Sequence, residues 1–310
     1  MRIAIVLGHD ACAGWRDGGA IGLVVRDLLD ATPPGQEARI FGPADAVAPL
    51  AGPGFVAVAP SWRERWRRPK AAYRAALIRA LRRFAPAVIE VHNTRILSER
   101  LARAFPRARA IAVLHSPVAL ALPERSAWLA AVDRAVCVSD AVRAQLVAGL
   151  PPDLAARACT IHNPAPVGPA AAGVERQRIV LFAGRLVPEK GADAFLAAAA
   201  LLRDRLPGWR FLLAGSEGAR PSPADRRYAD EVRARAAAAG VELRGHLPNA
   251  ELLSLMAQAR IVVMPSRYHE PLPRVAQEAL AAGAALVASP RGGIPEAAGD
   301  AALYADPERP

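Results

Sequence analysis

The sequence has few of the features that mark several common classes of protein. Its three cysteines, Cys12, Cys137 and Cys159, are scattered without CxxC spacing, so neither a disulfide framework nor a zinc site is indicated. No apolar stretch approaches the roughly 20 residues that a membrane-spanning helix needs. The apolar run in the N-terminal "MRIAIVLGHD" is too short for a signal peptide. We therefore expect a protein of the reducing cytoplasm.

Motifs for nucleotide cofactors and metals are also scarce. There is no GxxxxGK[ST] loop. The glycine-bearing loop at 14–20 lacks GxGxxG spacing, which disfavours a dinucleotide-dependent enzyme that transfers hydride. No Asp-x-Asp pair is present to hold a divalent ion for a nucleoside diphosphate. Aromatic residues make up 5% of the chain and accompany no recognised motif, which disfavours a nucleic-acid binder. Neither a metal nor a cofactor is expected.

What the sequence does contain is a regular alternation of apolar strands and helices. The 310 residues are 53% hydrophobic, enough for two domains with separate cores. Continuous apolar strands separated by helices are typical of a parallel sheet covered on both faces. The predicted strands are 2–7, 38–41, 55–59, 88–92, 110–115 and 135–139, and then 178–184, 209–215, 241–245, 261–266 and 285–289.

A stretch rich in proline and glycine separates these two sets of strands. The sequence therefore predicts an α/β protein with two doubly wound domains, 1–165 and 177–310, joined by a linker at 166–176. In such folds ligands bind at the carboxyl ends of the strands, and we expect a cleft between the domains.

Two cations follow the first strand of the second domain. In "FAGRLVPEKGADAFL" the strand ends at Gly184, Arg185 and Lys190 lie in the loop, and a helix starts near Gly191. Cations beside a helix N-terminus suit a diphosphate, because the helix dipole and free N–H groups add to their charge. The alternative is a pair of exposed basic residues after a strand.

Two carboxylates lie on either side of a predicted helix start in "RYHEPLPRVAQEALAAG", residues 267–283. Pro273 favours a helix that begins at 273 or 274, which leaves Glu270 in the loop and Glu278 one turn into the helix. Both can reach one ligand, with Arg274 available for its phosphates. Carboxylates accept hydrogen bonds from vicinal sugar hydroxyls. The alternative is that Glu278 is a capping or surface residue and Glu270 a loop charge.

The first domain offers weaker candidates. Gly18 and Gly19 permit close approach of the backbone to a phosphate or sugar, although an ordinary turn would look the same. His92, His115 and His162 lie at predicted strand ends, where His115 could donate a hydrogen bond to a sugar or handle a proton. The alternative for each histidine is a structural hydrogen bond to a neighbouring loop.

Positive charge is concentrated in one window. Residues 61–110 hold 14 basic and 3 acidic side chains. The segment 61–83 combines arginines with two tryptophans, which favours contact with an anionic membrane surface. A solvated helix face and a site for a soluble acidic acceptor remain alternatives.

Together, "GRLVPEKG", "FLLAG", "HEPLPRVAQEALAAG" and "ASPRGGIPEAAGD" resemble the carboxyl half of family 4 retaining glycosyltransferases of the GT-B fold. "EPLPRVAQE" matches the Glu-x7-Glu signature of that family. The resemblance is strong from 178 to 306 and looser in the first domain, where "LHSP" and "VCVSDAVRAQL" have their usual places.

The resemblance implies a role for each candidate residue. Arg185 and Lys190 would hold the donor diphosphate, Glu278 the nucleotide ribose, and Glu270 the donor sugar. His115 would lie near the reacting sugar, and the Gly18 and Gly19 loop would close over the donor. Backbone N–H groups would complete the phosphate site at Leu272, Arg274 and Val275.

Two features depart from the family pattern. Leu272 and Pro273 stand where the family usually has Phe-Gly, so Pro273 offers no N–H. Helices that commonly follow this point and pack across the first domain are missing, which suggests a shortened member or a truncated product.

The implied activity is metal-independent transfer of a sugar, with retention, from a nucleoside diphosphate to an acceptor hydroxyl. UDP and GDP are not distinguished. The first domain would bind the acceptor, a lipid-linked intermediate of lipopolysaccharide or polysaccharide biosynthesis, at the inner face of the cytoplasmic membrane. The alternatives are a sugar-nucleotide epimerase of the same fold and a catalytically idle sugar-nucleotide binding module.

Overall fold

The computed structural model describes residues 1–9, 19–44, 52–60, 69–164, 174–218 and 221–309. The chain divides into two compact units, Met1–Pro164 and Ala165–Pro310. Most of the predicted linker, together with Cys12, Gly18 and residues 61–68 of the basic window, lies outside the described residues.

The first unit is a parallel sheet with the strand order β3-β2-β1-β4-β5-β6-β7. Its strands are β1 Arg2–Leu7, β2 Glu37–Pro43, β3 Phe55–Val58, β4 Val88–His92, β5 Arg109–Leu114, β6 Arg134–Cys137 and β7 Ala158–Thr160. Its helices are α1 Gly19–Asp30, α2 Pro69–Phe84, α3 Arg95–Ala104, α4 Leu122–Ala131, α5 Asp140–Val147 and α6 Pro152–Ala155.

The second unit is a parallel sheet with the order β10-β9-β8-β11-β12-β13. Its strands are β8 Gln177–Ala183, β9 Arg210–Ala214, β10 Val241–Gly245, β11 Ala259–Met264, β12 Ala285–Ala288 and β13 Ala302–Tyr304. Its helices are α7 Ala192–Leu202, α8 Pro223–Ala236, α9 Asn249–Gln258, α10 Arg274–Ala281 and α11 Ile294–Ala298, with 3₁₀ turns at Pro188–Lys190 and Gly299–Ala301.

Both sheets are buried on both faces, as continuous apolar strands predict. In β8, Leu181 packs into a core with α9, α10 and α11, whereas its neighbour Phe182 packs on the opposite side with α7 and α8. Successive side chains of a strand point to opposite faces, so each residue of the run "IVLF" enters one core or the other. The predicted α/β class with two doubly wound sheets is confirmed.

Each sheet has a point where the strand order reverses. In the second unit β8 lies between β9 and β11, and the helices α7 and α10 that follow β8 and β11 pack on opposite faces of the sheet. In the first unit β1 lies between β2 and β4 in the same way. A crevice forms at the carboxyl ends of such strands and is the usual ligand site of the fold.

The two strands that sequence patterning missed, β7 and β13, are at sheet edges and have 3 residues each. Three residues are too few to show an apolar run or a period, whereas the longer edge strands β3 and β10 were predicted.

Candidate functional site

The loops after β8 and β11 meet at the strand-order reversal of the second unit. Lys190 ends the 3₁₀ turn in the first loop, and its Nζ lies 2.5 Å from Oε1 of Glu270 in the second. Ser266 donates to the same oxygen at 2.7 Å and to the carbonyl of Glu189 at 3.1 Å. Glu270 is 5% exposed. Both bonds to this carboxylate go to Oε1. No described residue donates to Oε2 of Glu270, which leaves that oxygen for a ligand.

A glycine allows these two loops to approach each other. Gly191 has φ 71°, and a Cβ at this position would collide with the carbonyl oxygen of Pro265. Only glycine satisfies both the left-handed conformation and the close contact without strain. The sequence placed Gly191 at the helix start without showing this second requirement.

An ion-pair network ties the same loops to α7 and α8. Arg267 donates from Nη1 and Nη2 to both oxygens of Asp193, at 2.7 and 3.0 Å. The hydroxyl of Tyr228 donates to Asp193 Oδ1 at 2.6 Å. Burial opposes ionisation of Asp193, but the bonds from Arg267 and Tyr228 prevail and lower its pKa. Bidentate pairing fixes orientation as well as distance, so Arg267 holds the loop after β11 against the start of α7.

The loop after β12 supports Glu270 from another direction. The N–H of Gly293 donates to the Glu270 carbonyl at 2.6 Å, and Ser289 Oγ donates to the Ser266 carbonyl at 2.6 Å. Gly292 has φ 62°, and a Cβ there would collide with the backbone of Glu270. The carboxylate is thus presented by a backbone that is held at several points.

The helix α10 begins at Arg274 after Pro273, as predicted. The structure places the Arg274 side chain against Glu278. Its Nε donates to Oε1 of Glu278 at 3.1 Å, and the two side chains are 7% and 4% exposed. The arginine compensates a buried carboxylate, and a contribution of Arg274 to a phosphate site stays a prediction.

The other predicted donor-site residues of this unit differ in exposure. Arg185 is exposed, and its charge contributes, after the hydrogen bonds from Ser222, to the lowered pKa of Asp225. Leu272 is buried and Val275 is half-buried in the first turn of α10. First-turn N–H groups of a helix have no intrahelical acceptor, so an anion is stabilised there.

The first unit places two histidines side by side. His115 follows β5, and its Nε2 lies 2.9 Å from Nδ1 of His92 at the end of β4. Burial, and then the neighbouring His92, lower the pKa of His115 to about 3. Gly19 is the first residue of α1 and has φ 65°. His162 lies in an exposed segment after β7.

Several residues of these clusters carried no motif signal: Ser266, Arg267, Asp193, Tyr228, Ser289 and Gly292. Ser266 ends the strand-like run "IVVMPS" and could have been found from its place at a carboxyl strand end. Within the described ranges, no group of three or more His, Cys, Asp or Glu side chains could hold a metal ion. No helix in the same ranges is long and apolar enough to cross a membrane.

Both halves of the chain match known families. The family model "Glycosyl transferases group 1" matches residues 170–309, and the model "Glycosyltransferase Family 4" matches residues 25–168.

Curated relatives match shorter regions. Glycogen synthase of Mycobacterium tuberculosis is 40% identical over 118 residues, which are 38% of this chain and 27% of the relative. Alpha-D-kanosaminyltransferase of Streptomyces kanamyceticus is 30% identical over 198 residues, 60% of this chain and 48% of the relative. The chain thus spans between about a quarter and a half of the relatives it matches.

Solved structures align over nearly the whole chain. A glycosyltransferase from Rickettsia africae has a TM-score of 0.74 at 14% identity and covers 99% of this chain and 84% of its own. Anabaena Alr3699/HepE in complex with UDP-glucose has a TM-score of 0.66 at 18% identity and covers 95% and 82%. At this identity the likeness concerns the fold, and it supports the predicted GT-B class.

Proposed function

Since the chain belongs to the family 4 glycosyltransferases, we propose that it transfers a sugar from a nucleoside diphosphate to an acceptor hydroxyl, with retention at the anomeric carbon. The cluster of Lys190, Glu270 and Ser266 carries this proposal. It combines a cation and a carboxylate with a free oxygen at the strand-order reversal, where α/β folds bind their ligands.

The charges around this crevice suit a nucleotide sugar. Glu270 can accept from a sugar hydroxyl through Oε2, while Lys190, 23% exposed at its side chain, can turn from Oε1 toward a diphosphate. Exposed Arg185 adds a second cation from the same loop. Glu278, charge-balanced by Arg274, is the proposed partner of the ribose.

The proposed reaction needs no divalent ion. As the glycosidic bond breaks, negative charge grows on the leaving diphosphate, and Lys190, Arg185 and the first turn of α10 stabilise it. The departing phosphate takes the proton of the acceptor hydroxyl, which attacks the anomeric carbon from the same face. Retention follows without a carboxylate nucleophile of the kind that retaining glycosidases use.

A donor screen tests the proposal. UDP-glucose is the first probe, because the similar Anabaena protein was solved with it, and GDP- and ADP-glucose follow. We expect one nucleotide to raise the Tm and its sugar to appear in product with the same anomeric configuration in NMR spectra, with EDTA present. Strict Mn²⁺ dependence or an inverted anomer would contradict the mechanism.

The same screen separates the two alternatives. Conversion of the nucleotide sugar without any acceptor would indicate an epimerase. Binding without turnover, across the acceptors tested, would indicate an idle binding module.

The acceptor that we propose is lipid-linked, as in lipopolysaccharide or polysaccharide biosynthesis, and is reached by peripheral contact with an anionic membrane. Helix α2 supports this, because it exposes Arg79, Arg82 and Arg83 while burying Tyr73 and Leu77. A basic residue near an anionic surface contributes about 1 kcal/mol to binding.

Charge reversal tests this contact. Replacing Arg82 and Arg83 by glutamate is expected to weaken binding to phosphatidylglycerol vesicles at least about tenfold, measured by co-sedimentation at low salt. Phosphatidylcholine vesicles should bind neither form. The matched control reverses Arg226 and Arg227, another adjacent exposed pair on α8. Equal pelleting of the α2 variant and the unmodified protein would show that the helix is a solvated face.

A further inference from the structure

The two histidines of the first unit, His92 and His115, lie close enough for their rings to form a hydrogen bond with each other. His92 ends β4 and His115 follows the neighbouring strand β5. Their ring centroids are 5.1 Å apart with planes 23° apart, and Nδ1 of His92 faces Nε2 of His115 at 2.9 Å, as in a hydrogen bond between ring edges. A hydrogen bond between two imidazole nitrogens needs one donor and one acceptor. Two neutral arrangements satisfy this requirement, and they give His115 opposite properties.

Both rings are largely removed from water. His92 is 1% exposed, and burial holds the pKa of His115 far below its ordinary value. A charged imidazole in such surroundings is costly. The arrangement is therefore decided by which nitrogen of His92 carries the hydrogen.

The other nitrogen of His92 supplies the answer. Its Nε2 is buried and has no hydrogen-bond partner among the described residues, and Oε2 of Glu90 lies 3.9 Å away on the same strand. A carboxylate at this distance attracts an N–H and repels a lone pair. The proton thus belongs on Nε2 of His92, and Nδ1 is left as the acceptor for the N–H of His115.

We propose that Glu90 and His92 hold His115 in the tautomer that is protonated at Nε2, so that its Nδ1 accepts a hydrogen bond at the carboxyl end of β5. His92 is a positioning residue that acts through His115, and Glu90 acts through His92. The donor of the hydrogen bond that Nδ1 of His115 accepts is a hydroxyl of a substrate. That this hydroxyl belongs to a sugar rests on the proposed function, whereas the tautomer does not.

Long-range ¹H–¹⁵N correlation spectra of the full chain, labelled with ¹⁵N-histidine, report each tautomer directly at pH 7. The chain has six histidines, and His92→Asn and His115→Asn assign the two signals. We expect both rings to be protonated at Nε2. The Glu90→Ala variant should shift His92 at least several-fold toward protonation at Nδ1, whereas Glu175→Ala, which removes an exposed carboxylate of the second unit, should leave it unchanged.

His115 protonated at Nδ1 in the unmodified protein, a charged His92, or an insensitive Glu90→Ala variant would each overturn the proposal. A second arm uses turnover of the donor identified by screening. His92→Leu is expected to lower kcat about tenfold or more with little change in KM. His92→Asn can place its amide oxygen where Nδ1 of His92 lies and accept from His115, so it should keep most of the unmodified kcat. Equal losses in both variants would indicate a merely structural role.

The two arms fail independently. The predicted tautomers in a protein that turns over no nucleotide sugar would contradict the proposed function and leave the His92 proposal standing. Transfer activity in a protein with His115 protonated at Nδ1 would support the proposed function and contradict the His92 proposal.

Discussion

Replacing Lys190 by alanine is expected to lower kcat/KM for sugar transfer by about 10²–10³-fold, the effect of removing one preorganised group that stabilises developing charge. The loss is larger than for a surface cation because Glu270, 5% exposed, stays behind and repels the diphosphate. Steady-state kinetics with UDP-glucose, or with the donor that screening identifies, measure it.

The chain contains a matched control for this change. Lys70, in the first turn of α2, is its only other lysine. Because α2 is proposed for membrane contact, the control readout is donor binding, which Lys70→Ala should leave unchanged. The double variant Lys190→Ala, Glu270→Gln removes both charges, so it should unfold at higher urea than Lys190→Ala alone and remain inactive. Undiminished transfer by Lys190→Ala would refute the assignment of the diphosphate site.

The largest effect on stability is expected at the buried pair in α10. Arg274→Met should lower the free energy of unfolding by about 3–5 kcal/mol, because it leaves the Glu278 carboxylate, 4% exposed at its side chain, without its arginine. Urea unfolding followed by circular dichroism measures the change. The double variant Arg274→Met, Glu278→Leu should recover most of this stability, since no charge then remains buried, but should bind the donor weakly.

An exposed ion pair provides the comparison. Arg103 pairs with Glu99 at 2.6 Å, also four residues apart in a helix, but Arg103 is 71% exposed at its side chain. Arg103→Met should cost less than about 1 kcal/mol. Similar costs for the two substitutions would show that burial does not govern the contribution of Arg274.

Much of the fold could be predicted because its signals are local. Runs such as "RIAIVL" and "VIEVH" contain enough consecutive apolar residues to indicate buried parallel strands, and β1 and β4 lie within a residue of the predicted bounds. Pro273 marked the start of α10, because proline has no N–H to donate and its ring clashes with a preceding helical turn. The three-residue edge strands β7 and β13 escaped, because so short a segment has no measurable period.

The candidate site could be predicted as a set of residues but not as an arrangement. Lys190 and Glu270 are 80 residues apart, and their ion pair exists only because β8 and β11 are neighbours in the sheet. Ser266 and Arg267 gained their roles from the same proximity. The His92 contact with His115 likewise follows from the adjacency of β4 and β5.

The pair of Arg274 and Glu278 shows what the sequence reveals and what only the tertiary structure adds. Their spacing of four residues on a helix is visible in the sequence, and such a pair on an exposed helix contributes a few tenths of a kcal/mol. The sequence nevertheless suggested that Arg274 is available for phosphates, and the pair was not predicted from it. Only the tertiary structure decided that this face of α10 is buried in the second unit. The sequence alone determined the longer strands, the starts of α7 and α10 and the chemical groups at the strand ends. Packing decided which of those groups face one another and how far water is excluded, because both depend on residues that are distant in the chain.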